Sequence, residues 1–349
     1  MQYQFAALSV VASLASLAVQ AAPGYRVEML PDTTGGTAFN AVAINNRGEV
    51  LGYGENDLTS RSFIYSKGSF TFLPQDGSRS LPVDINNHGQ ALYNSVTGDG
   101  YTQPFLYGGG GSINISPGVN ASGLGRALSS SGYAVGSFSD RNFFYDGKTS
   151  RYLDIDLDGV RTVFATGINS SGTIVGQATV SVEATRAFIY KNGRASFLDG
   201  MLDAYAINDF GQILGQDQQG YLVRDGDGSN TYLGFTAYTQ LNQRGWVAGN
   251  SLVDGALHAF VYREGHSTDL NRLLVGPDAD RWSLMDGVDI NDRGQIIGIG
   301  LFDGQRASFI ATPVPESGTW TLMLCGLGVL GAAAQCQRSR GSVKHSTTT

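Results

Sequence analysis

Short runs of alternating apolar and polar residues recur along the chain, and each run is closed by a turn that contains glycine. The clearest run extends from Ala41 to Gly52 and reads AVAINNRGEVLG. Alternation with a period of two, bounded by Asn, Ser and Gly, is typical of β-strands joined by hairpins. Six later segments repeat the pattern, and the first glycines of the seven copies are Gly48, Gly89, Gly132, Gly172, Gly211, Gly245 and Gly294.

The spacing of these glycines indicates the size of the structural unit. Successive copies are separated by 41, 43, 40, 39, 34 and 49 residues. A four-stranded propeller blade uses about 40 to 45 residues per repeat. The repeat therefore predicts one blade per copy.

An amide or hydroxyl side chain precedes the first glycine by three positions in every copy, at Asn45, Asn86, Ser129, Asn169, Asn208, Asn242 and Asn291. Asn or Ser at the first position of a type I turn bonds the backbone ahead, and glycine at the fourth position accepts a positive φ. We therefore expect a hairpin with a bulge in each unit. A second glycine follows four residues later in six copies, with Tyr93 as the exception. We attribute this glycine to crowding near the axis of a radial array of sheets.

Each unit continues with an aromatic strand, such as SFIYSKG from Ser62 or AFVYREG from Ala259, and six units add a short fourth strand. The seventh unit has no fourth strand after Thr312. The segment YRVEMLP, Tyr25 to Pro31, precedes the first copy without a blade of its own. We expect it to pair beside Phe309 to Ala311 and so hide the open sheet edges. The predicted fold is an all-β, seven-bladed β-propeller with four-stranded blades, its ring closed by the N-terminal strand completing the last blade.

The repeat resembles the family of extracellular HAF repeats, whose name is spelled by His258, Ala259 and Phe260. The resemblance covers approximately Tyr25 to Thr312. It implies an exported repeat protein and says little about biochemistry.

The N-terminus predicts a secretory signal peptide over residues 1–21. An apolar run from Phe5 to Val19 is followed by Val19-Gln20-Ala21, which has the small residues of a cleavage site. The alternative is an uncleaved anchor. The mature chain then carries the repeats over residues 23–312.

The C-terminus has a linker with a PEP-like motif over residues 313–318, an apolar transmembrane helix over 319–334 and a basic cytoplasmic tail over 335–349. This order, with Val314, Pro315 and Glu316 at the processing motif, resembles the PEP-CTERM sorting tail of Gram-negative bacteria. The resemblance implies an exosortase-type processing enzyme as a partner, transient anchoring in the inner membrane, and release to the cell surface or matrix. The alternative is a permanent inner-membrane anchor.

Composition narrows the possible partners. Without its two ends the chain keeps 20 basic and 30 acidic residues, a net charge of −10. Such a surface repels phosphate backbones, so we expect no nucleic acid partner. Both cysteines, Cys325 and Cys336, lie in the tail, which leaves the repeats without disulfide or thiol chemistry.

The best metal candidate is Asp154, Asp156 and Asp158, followed by Gly159, because alternate aspartates with glycine at the sixth position begin a calcium loop. The loop lacks the later ligands of an EF-hand, so we favour a strand with these aspartates in solvent and expect no cofactor.

Catalytic residues are hard to find in the repeats. His88, His258 and His266 occur singly, His345 lies in the tail, and no GxSxG motif is present. Asp84 and Asp289, just before the Ile of their hairpins, should lie near the axis, where carboxylates could act on glycosidic bonds. The alternative, which we favour, is that each bonds nearby backbone N–H groups.

Aromatic residues such as Tyr101, Trp246 and Trp282 could stack on sugars or pack in the core. The sequence thus predicts an exported, non-enzymatic binding or structural protein of the cell surface or exopolysaccharide matrix. Its partners would be extracellular polysaccharide or surface proteins. The alternatives are a polysaccharide lyase or hydrolase and a periplasmic scaffold tethered to the inner membrane.

Overall fold

The structure, a computed structural model, describes residues 23–32, 39–55, 60–75, 77, 79–182, 184–234 and 237–314. These residues form seven four-stranded sheets and two short 3-10 helices, Leu270–Leu273 and Ala279–Arg281. The predicted all-β, seven-bladed propeller with four-stranded antiparallel blades is confirmed. The blades belong to one compact unit, Arg26–Thr312.

Each of the first three blades consists of four consecutive strands paired antiparallel. Blade 1 contains β2 (Phe39–Ile44), β3 (Val50–Glu55), β4 (Ser60–Ser66) and β5 (Ser69–Phe72). Blade 2 contains β6 (Ser80–Ile85), β7 (Ala91–Val96), β8 (Thr102–Gly108) and β9 (Gly111–Asn114). Blade 3 contains β10 (Gly123–Leu128), β11 (Ala134–Phe138), β12 (Arg141–Tyr145) and β13 (Ser150–Leu153).

The next three blades follow the same order. Blade 4 contains β14 (Thr162–Ile168), β15 (Ile174–Ser181), β16 (Ala184–Lys191) and β17 (Arg194–Phe197). Blade 5 contains β18 (Asp203–Ile207), β19 (Ile213–Asp217), β20 (Gly220–Arg224) and β21 (Asn230–Tyr232). Blade 6 contains β22 (Ala237–Leu241), β23 (Val247–Val253), β24 (Ala256–Arg263) and β25 (His266–Asp269).

The seventh blade takes strands from both ends of the chain. It contains β26 (Trp282–Ile290), β27 (Ile296–Phe302) and β28 (Gln305–Val314), and β1 (Gly24–Met29) lies beside β28 as its fourth strand. The N–H of Leu30 donates to the carbonyl of Ser308 at 2.9 Å. That this pairing holds the ring shut remains a prediction.

The first strand of each blade is the innermost, since first strands of neighbouring blades contact each other and line a common central depression. Apolar side chains fill the spaces between blades rather than a single core. One such cluster joins Leu51 and Ile64 of blade 1 to Ala91 and Tyr93 of blade 2. Burial between blades is therefore what fixes each sheet to the next.

The turn between the first and second strands has the predicted form in every blade. In blade 1 the Gly48 N–H donates to the Asn45 carbonyl at 3.0 Å, and Gly48 has a φ of 74°. The equivalent glycines all have positive φ, at Gly89, Gly132, Gly172, Gly211, Gly245 and Gly294. The geometry of the turn therefore explains why Asn or Ser lies three residues before the glycine. A contact between blades gives a second reason for Asn at this position.

The explanation given above for the second glycine is wrong. A Cβ on Gly176 would overlap the carbonyl oxygen of Phe164 and lie 2.8 Å from the ring of Phe188. Both groups belong to blade 4 itself, on the strands that flank β15. The equivalent glycines of blades 3 and 7, Gly136 and Gly298, likewise meet a first-strand carbonyl and a third-strand phenylalanine ring. In these blades the crowding is therefore inside the blade and not between blades at the axis.

The fourth strand of blade 3 ends earlier than predicted. β13 stops at Leu153, and residues 154–157 are irregular. The expected strand through Ile155 and Leu157 is therefore wrong, although both side chains are partly buried.

Predictions for the two ends lie mainly outside the described residues. This holds for the signal peptide, for Pro315 and Glu316, and for the apolar span 319–334, while Val314 is the last residue of β28. In the described part of the chain, no helix is both long and apolar enough to cross a membrane.

Candidate functional site

The centre of the ring is built from the seven turns that join first and second strands. In six of the seven turns an Asn side chain accepts two backbone hydrogen bonds. In blade 1 the Oδ1 of Asn45 accepts from the N–H groups of Arg47 and Glu49, at 3.0 and 3.1 Å. Because its oxygen is used locally, its amide nitrogen remains available for another contact.

That nitrogen joins one blade to the next. Asn45 Nδ2 donates to the Asn86 carbonyl at 3.0 Å, and six of the seven turns are fastened in this way to the same point of the following turn. We call this ring of bonds the Asn belt. Its other members are the Nδ2 bonds from Asn86 to Ser129, Asn169 to Asn208, Asn208 to Asn242, Asn242 to Asn291 and Asn291 to Asn45.

Blade 3 interrupts the Asn belt because it has Ser129 in place of Asn. The Ser129 hydroxyl accepts from the Tyr133 N–H at 3.0 Å, which preserves the local turn. Among the described residues, no side chain of blade 3 donates to the Asn169 carbonyl. The Ser129 hydroxyl contacts Ser131 and makes no bond to the described residues of blade 4, while the Ser131 hydroxyl donates to the Ser170 carbonyl at 3.3 Å. The local requirement is therefore met, and the bond to the Asn169 carbonyl is missing.

A second set of bonds runs through the residue after each Asn, a pattern that the sequence analysis missed. The Asp292 N–H donates to Asn46 Oδ1 at 2.7 Å, and the Gln243 N–H donates to Asp292 Oδ1 at 2.8 Å. The sequence did contain a signal, since this position carries a hydrogen-bonding side chain in every copy: Asn46, Asn87, Ser130, Ser170, Asp209, Gln243 and Asp292.

Each innermost strand also carries a β-bulge at the same register. In blade 1 the pairing skips one residue between Ala41 and Ala43, and the equivalent skips occur in all seven sheets. A bulge leaves one residue unpaired and bends the strand. The unpaired positions are Val42, Val83, Arg126, Thr166, Tyr205, Thr239 and Val288.

These features enclose a polar depression of about 160 Å³ at the axis. All seven blades line it, six through their turns and blade 4 through Thr166, Gly167 and Ile168 of its first strand, and the lining includes Asp84, Arg126, Tyr205 and Asp289. Pockets for small organic ligands usually measure about 300 to 1,000 Å³. The axial depression is therefore large enough for water or a small ion and too small for a sugar ring with its neighbours.

Asp84 and Asp289 both reach this depression, as predicted, and both bond backbone N–H groups. Asp289 is 7% exposed, and its two oxygens accept from Ile290 and, across the blade boundary, from Ile44, each at 2.7 Å. The half-buried Asp84 accepts from Ile85 at 2.7 Å and from Leu128 of the next blade at 3.2 Å. The bonds to Ile85 and Ile290 are the nearby backbone bonds favoured from the sequence. The bonds to Leu128 and Ile44 join neighbouring blades and were not predicted.

Burial raises the pKa of both carboxyl groups. Loss of hydration raises the pKa of Asp84 to about 6, against the lowering effect of its bonds to Leu128 and Ile85. Loss of hydration also raises the pKa of Asp289 to about 7, and the negative charge of Asp84 adds to that increase. Carboxyl groups that titrate near neutral pH can serve as general acids, which gives this pair chemical interest.

The proposed calcium loop is exposed and loosely arranged. Asp154, Asp156 and Asp158 all face solvent, and the Asp154 carboxylate pairs with Arg141 at 2.8 Å. No group of three or more His, Cys, Asp or Glu residues within the described ranges could hold a metal ion.

The histidines are dispersed. His88 is exposed in the blade 2 turn and His266 is exposed in a hairpin of blade 6, while His345 lies outside the described residues. His258 contacts the buried Asp269, with 2.8 Å between Nδ1 and Oδ2. Asp269 also caps the 3-10 helix at Leu270–Leu273, so this pair organises a loop.

The three aromatic candidates have different environments. Trp282 is 7% exposed and packs against Phe302 and Phe309, with ring centroids at 5.0 and 6.0 Å, which makes it a core residue. Trp246 is half-buried beside its turn, with the Arg244 guanidinium 5.1 Å from its ring. Tyr101 is half-buried in the loop between β7 and β8.

Comparison with known proteins supports the architecture. No protein-family model matches the sequence, and no match to a curated protein was found. Among solved structures, the chain is similar to YCF48 bound to D1 peptide, at 15% identity and a TM-score of 0.49, over 85% of this chain and 100% of that one. It is also similar to an acylaminoacyl peptidase in complex with Z-Gly-Gly-Phe-chloromethyl ketone, at 13% identity and a TM-score of 0.51.

The peptidase match covers 78% of this chain and 52% of the peptidase, so the chain spans about half the length of that enzyme. The Pyrococcus horikoshii acylaminoacyl peptidase gives a similar result, at 14% identity, a TM-score of 0.49, 78% coverage of this chain and 52% coverage of that one. At such identities the likeness concerns the fold alone, because propellers host many unrelated functions.

Proposed function

We propose that this protein is an exported, non-enzymatic binding or structural protein of the cell surface or exopolysaccharide matrix of a Gram-negative bacterium. The proposal is supported by the leader-like residues 1–21, by the tail that resembles a sorting signal, and by a fold that presents loops on two faces. In repeat folds such loops usually carry recognition.

The observation that carries the proposal is the small size of the axial depression, together with the bonds that its two carboxylates already make. Its volume of about 160 Å³ leaves no room for a polysaccharide segment. The two carboxylates within it are occupied by backbone N–H groups from two blades each. Recognition by the exposed faces therefore fits this molecule better than catalysis at its centre.

Cell fractionation and mass spectrometry of the mature protein test the location. The proposal predicts cleavage after Ala21 and processing near Pro315 and Glu316, with the protein recovered from the cell surface or the matrix. Survival of the full C-terminus in the inner membrane would instead support the tethered scaffold. Pull-down with the secreted polysaccharide then tests binding, and absence of any matrix partner would contradict the proposal.

A polysaccharide lyase or hydrolase is the second candidate, and the raised pKa values of Asp84 and Asp289 favour it. An acid held partly protonated near neutral pH could protonate a glycosidic oxygen. Turnover of matrix polysaccharide that disappears in Asp84→Asn or Asp289→Asn, while the exposed Asp156→Asn control retains it, would establish the enzyme. Equal activity in all three variants would exclude these carboxylates.

A further inference from the structure

The residue just before the first glycine forms the tip of each turn at the ring centre. All seven tip residues are exposed: Arg47, His88, Ser131, Ser171, Phe210, Arg244 and Arg293. The turns themselves have nearly identical backbone bonding, so the identity of the tip residue is not needed for the fold. We call the face on which these tips lie the turn face.

The cationic tips lie on consecutive blades. Arg244, Arg293 and Arg47 belong to blades 6, 7 and 1, and His88 follows on blade 2. Three backbone N–H groups, each beside a tip, fasten these four turns in that order. They are the bonds from Gln243 to Asp292, from Asp292 to Asn46 and from Asn46 to Asn87, at 2.8, 2.7 and 2.8 Å. The four side chains therefore form a continuous arc on one side of the axis.

The arc retains unpaired positive charge. Arg47 forms an ion pair with Glu49 at 2.7 Å, and its side chain is still 49% exposed. Within the described residues neither Arg244 nor Arg293 forms an ion pair. The carboxylate of Asp292 accepts bonds from Gln243 and Asn46. Two guanidinium groups are thus free to bind an external anion.

An exposed aromatic ring continues the arc on its blade 5 side. Phe210 is 76% exposed at the tip of its turn, and the Asp209 N–H beside it donates to Gln243 Oε1 of blade 6 at 2.8 Å. Half-buried Trp246 lies under Arg244 in that next blade. A ligand that covered this phenyl ring would remove its apolar surface from water, which favours binding.

We propose that the turn face binds an anionic polysaccharide along the strip Phe210, Arg244, Arg293 and Arg47. An aromatic ring can cover the C–H face of a sugar, and an Arg guanidinium can bind a sugar carboxylate through two parallel hydrogen bonds. A nucleic acid fits less well, because a duplex carries one negative charge per about 1.7 Å of its axis, and the net charge of −10 on the repeats repels that density more strongly than one carboxylate per sugar. This inference rests on the proposed function and specifies its ligand class and its surface.

Binding of the full chain to polygalacturonate, a polymer with one carboxylate per sugar, tests the inference. The triple variant Arg47→Gln, Arg244→Gln, Arg293→Gln should bind at least about tenfold more weakly, and Phe210→Ala should also weaken binding. The matched control is Lys67→Gln, Lys148→Gln, Lys191→Gln, which removes the same charge from exposed outer hairpins of the same face. The control should bind within about twofold of the parent protein, and binding should weaken as salt is raised.

Several outcomes would overturn the inference. These are equal losses in the two triple variants, equal binding of neutral dextran, tighter binding of double-stranded DNA, and no binding of polygalacturonate.

Because Arg47 also contacts the blade 2 turn, a second variant separates binding from folding. The double variant Arg244→Gln, Arg293→Gln should show a loss of binding while its thermal unfolding matches that of the parent. Retention of the triple variant in the native matrix would exclude the arc and leave the matrix location intact. Absence of the parent protein from the matrix would contradict the proposed function itself.

Discussion

At the residue scale, the Asn side chains around the axis have two roles, one within their own turn and one between blades. The sequence pattern indicates only the first. Asn208 completes its own turn through Oδ1, which accepts from Phe210 and Gln212, and holds the next blade through Nδ2. Ser129 performs the first role alone. Ser129 therefore separates what this position contributes to its own turn from what it contributes to the contact between blades.

Substitutions at this position should have opposite effects on stability in blades 3 and 5. Ser129→Asn should stabilise the protein by about 1 kcal/mol, because a new amide can donate to the Asn169 carbonyl, and Asn208→Ser should destabilise it by a similar amount. Chemical denaturation of both variants measures the two changes. A destabilising Ser129→Asn would show that blade 3 is too far from blade 4 for the bond to form.

The raised pKa of Asp289 predicts a pH dependence of stability. A carboxyl group whose pKa is higher in the folded state stabilises the fold less as pH rises. For Asp289 this loss occurs between its ordinary pKa of 3.8 and about 7. The loss from this group alone is about 4 kcal/mol in scale. The free energy of unfolding should therefore be lower at pH 8 than at pH 5, and Asp289→Asn should reduce that difference. Asp156→Asn, an exposed change of the same charge, should leave the difference unaltered.

At the element scale, every blade has a bulged first strand, and six of the seven place a glycine opposite it. The bulge brings a carbonyl of the first strand toward the second strand, and the third strand adds a phenylalanine ring from the other side. Only a residue without a side chain fits between them in blade 4. Blade 2 shows a different solution, since Tyr93 is fully buried there and its hydroxyl donates to the Pro74 carbonyl.

This packing predicts a large effect for one added methyl group. Gly176→Ala should destabilise the protein by about 3 kcal/mol, since the Cβ would overlap the Phe164 carbonyl and press on Phe188. The control Gly226→Ala adds the same group where no atom lies within 4 Å, and it should change stability by less than about 0.5 kcal/mol. Thermal and denaturant unfolding measure both, and similar losses would contradict the crowding argument.

At the scale of the whole molecule, the seventh blade joins strands from the two ends of the repeats. β1 covers the edge of β28, which would otherwise present unpaired N–H and C=O groups. The Asn belt also crosses from blade 7 to blade 1 through Asn291 and Asn45. Both contacts bring the last repeat next to the first, and we expect them to act together.

Removal of β1 should therefore weaken the whole ring. A variant without residues 24–30 should unfold at a lower temperature and associate through the exposed β28 edge. A synthetic peptide of residues 24–32, added in trans, should restore the parent behaviour, because strand addition to a free edge is a general mode of binding. A scrambled peptide is the control. Unchanged stability after the deletion would show that the strand does not hold the ring shut.

The sequence by itself determined the number of blades, the turn geometry and the strand order, because these depend on local rules that repeat seven times. Asn or Ser with glycine three residues later specifies a turn, and alternation specifies the strands beside it. The same rules placed Asp84 and Asp289 near the axis and favoured their backbone bonds.

Only the tertiary structure decided how the repeated residues contact one another, both across blades and within a blade. It showed that Asn amides join neighbouring turns, that the second glycine relieves crowding inside a blade, and that the tips Arg244, Arg293 and Arg47 form one arc. The glycine meets residues 12 positions away, whereas the contacts between blades connect residues that are 34 to 246 positions apart in the chain. Such contacts arise from the rotation between successive blades, and no local pattern of residues records that rotation.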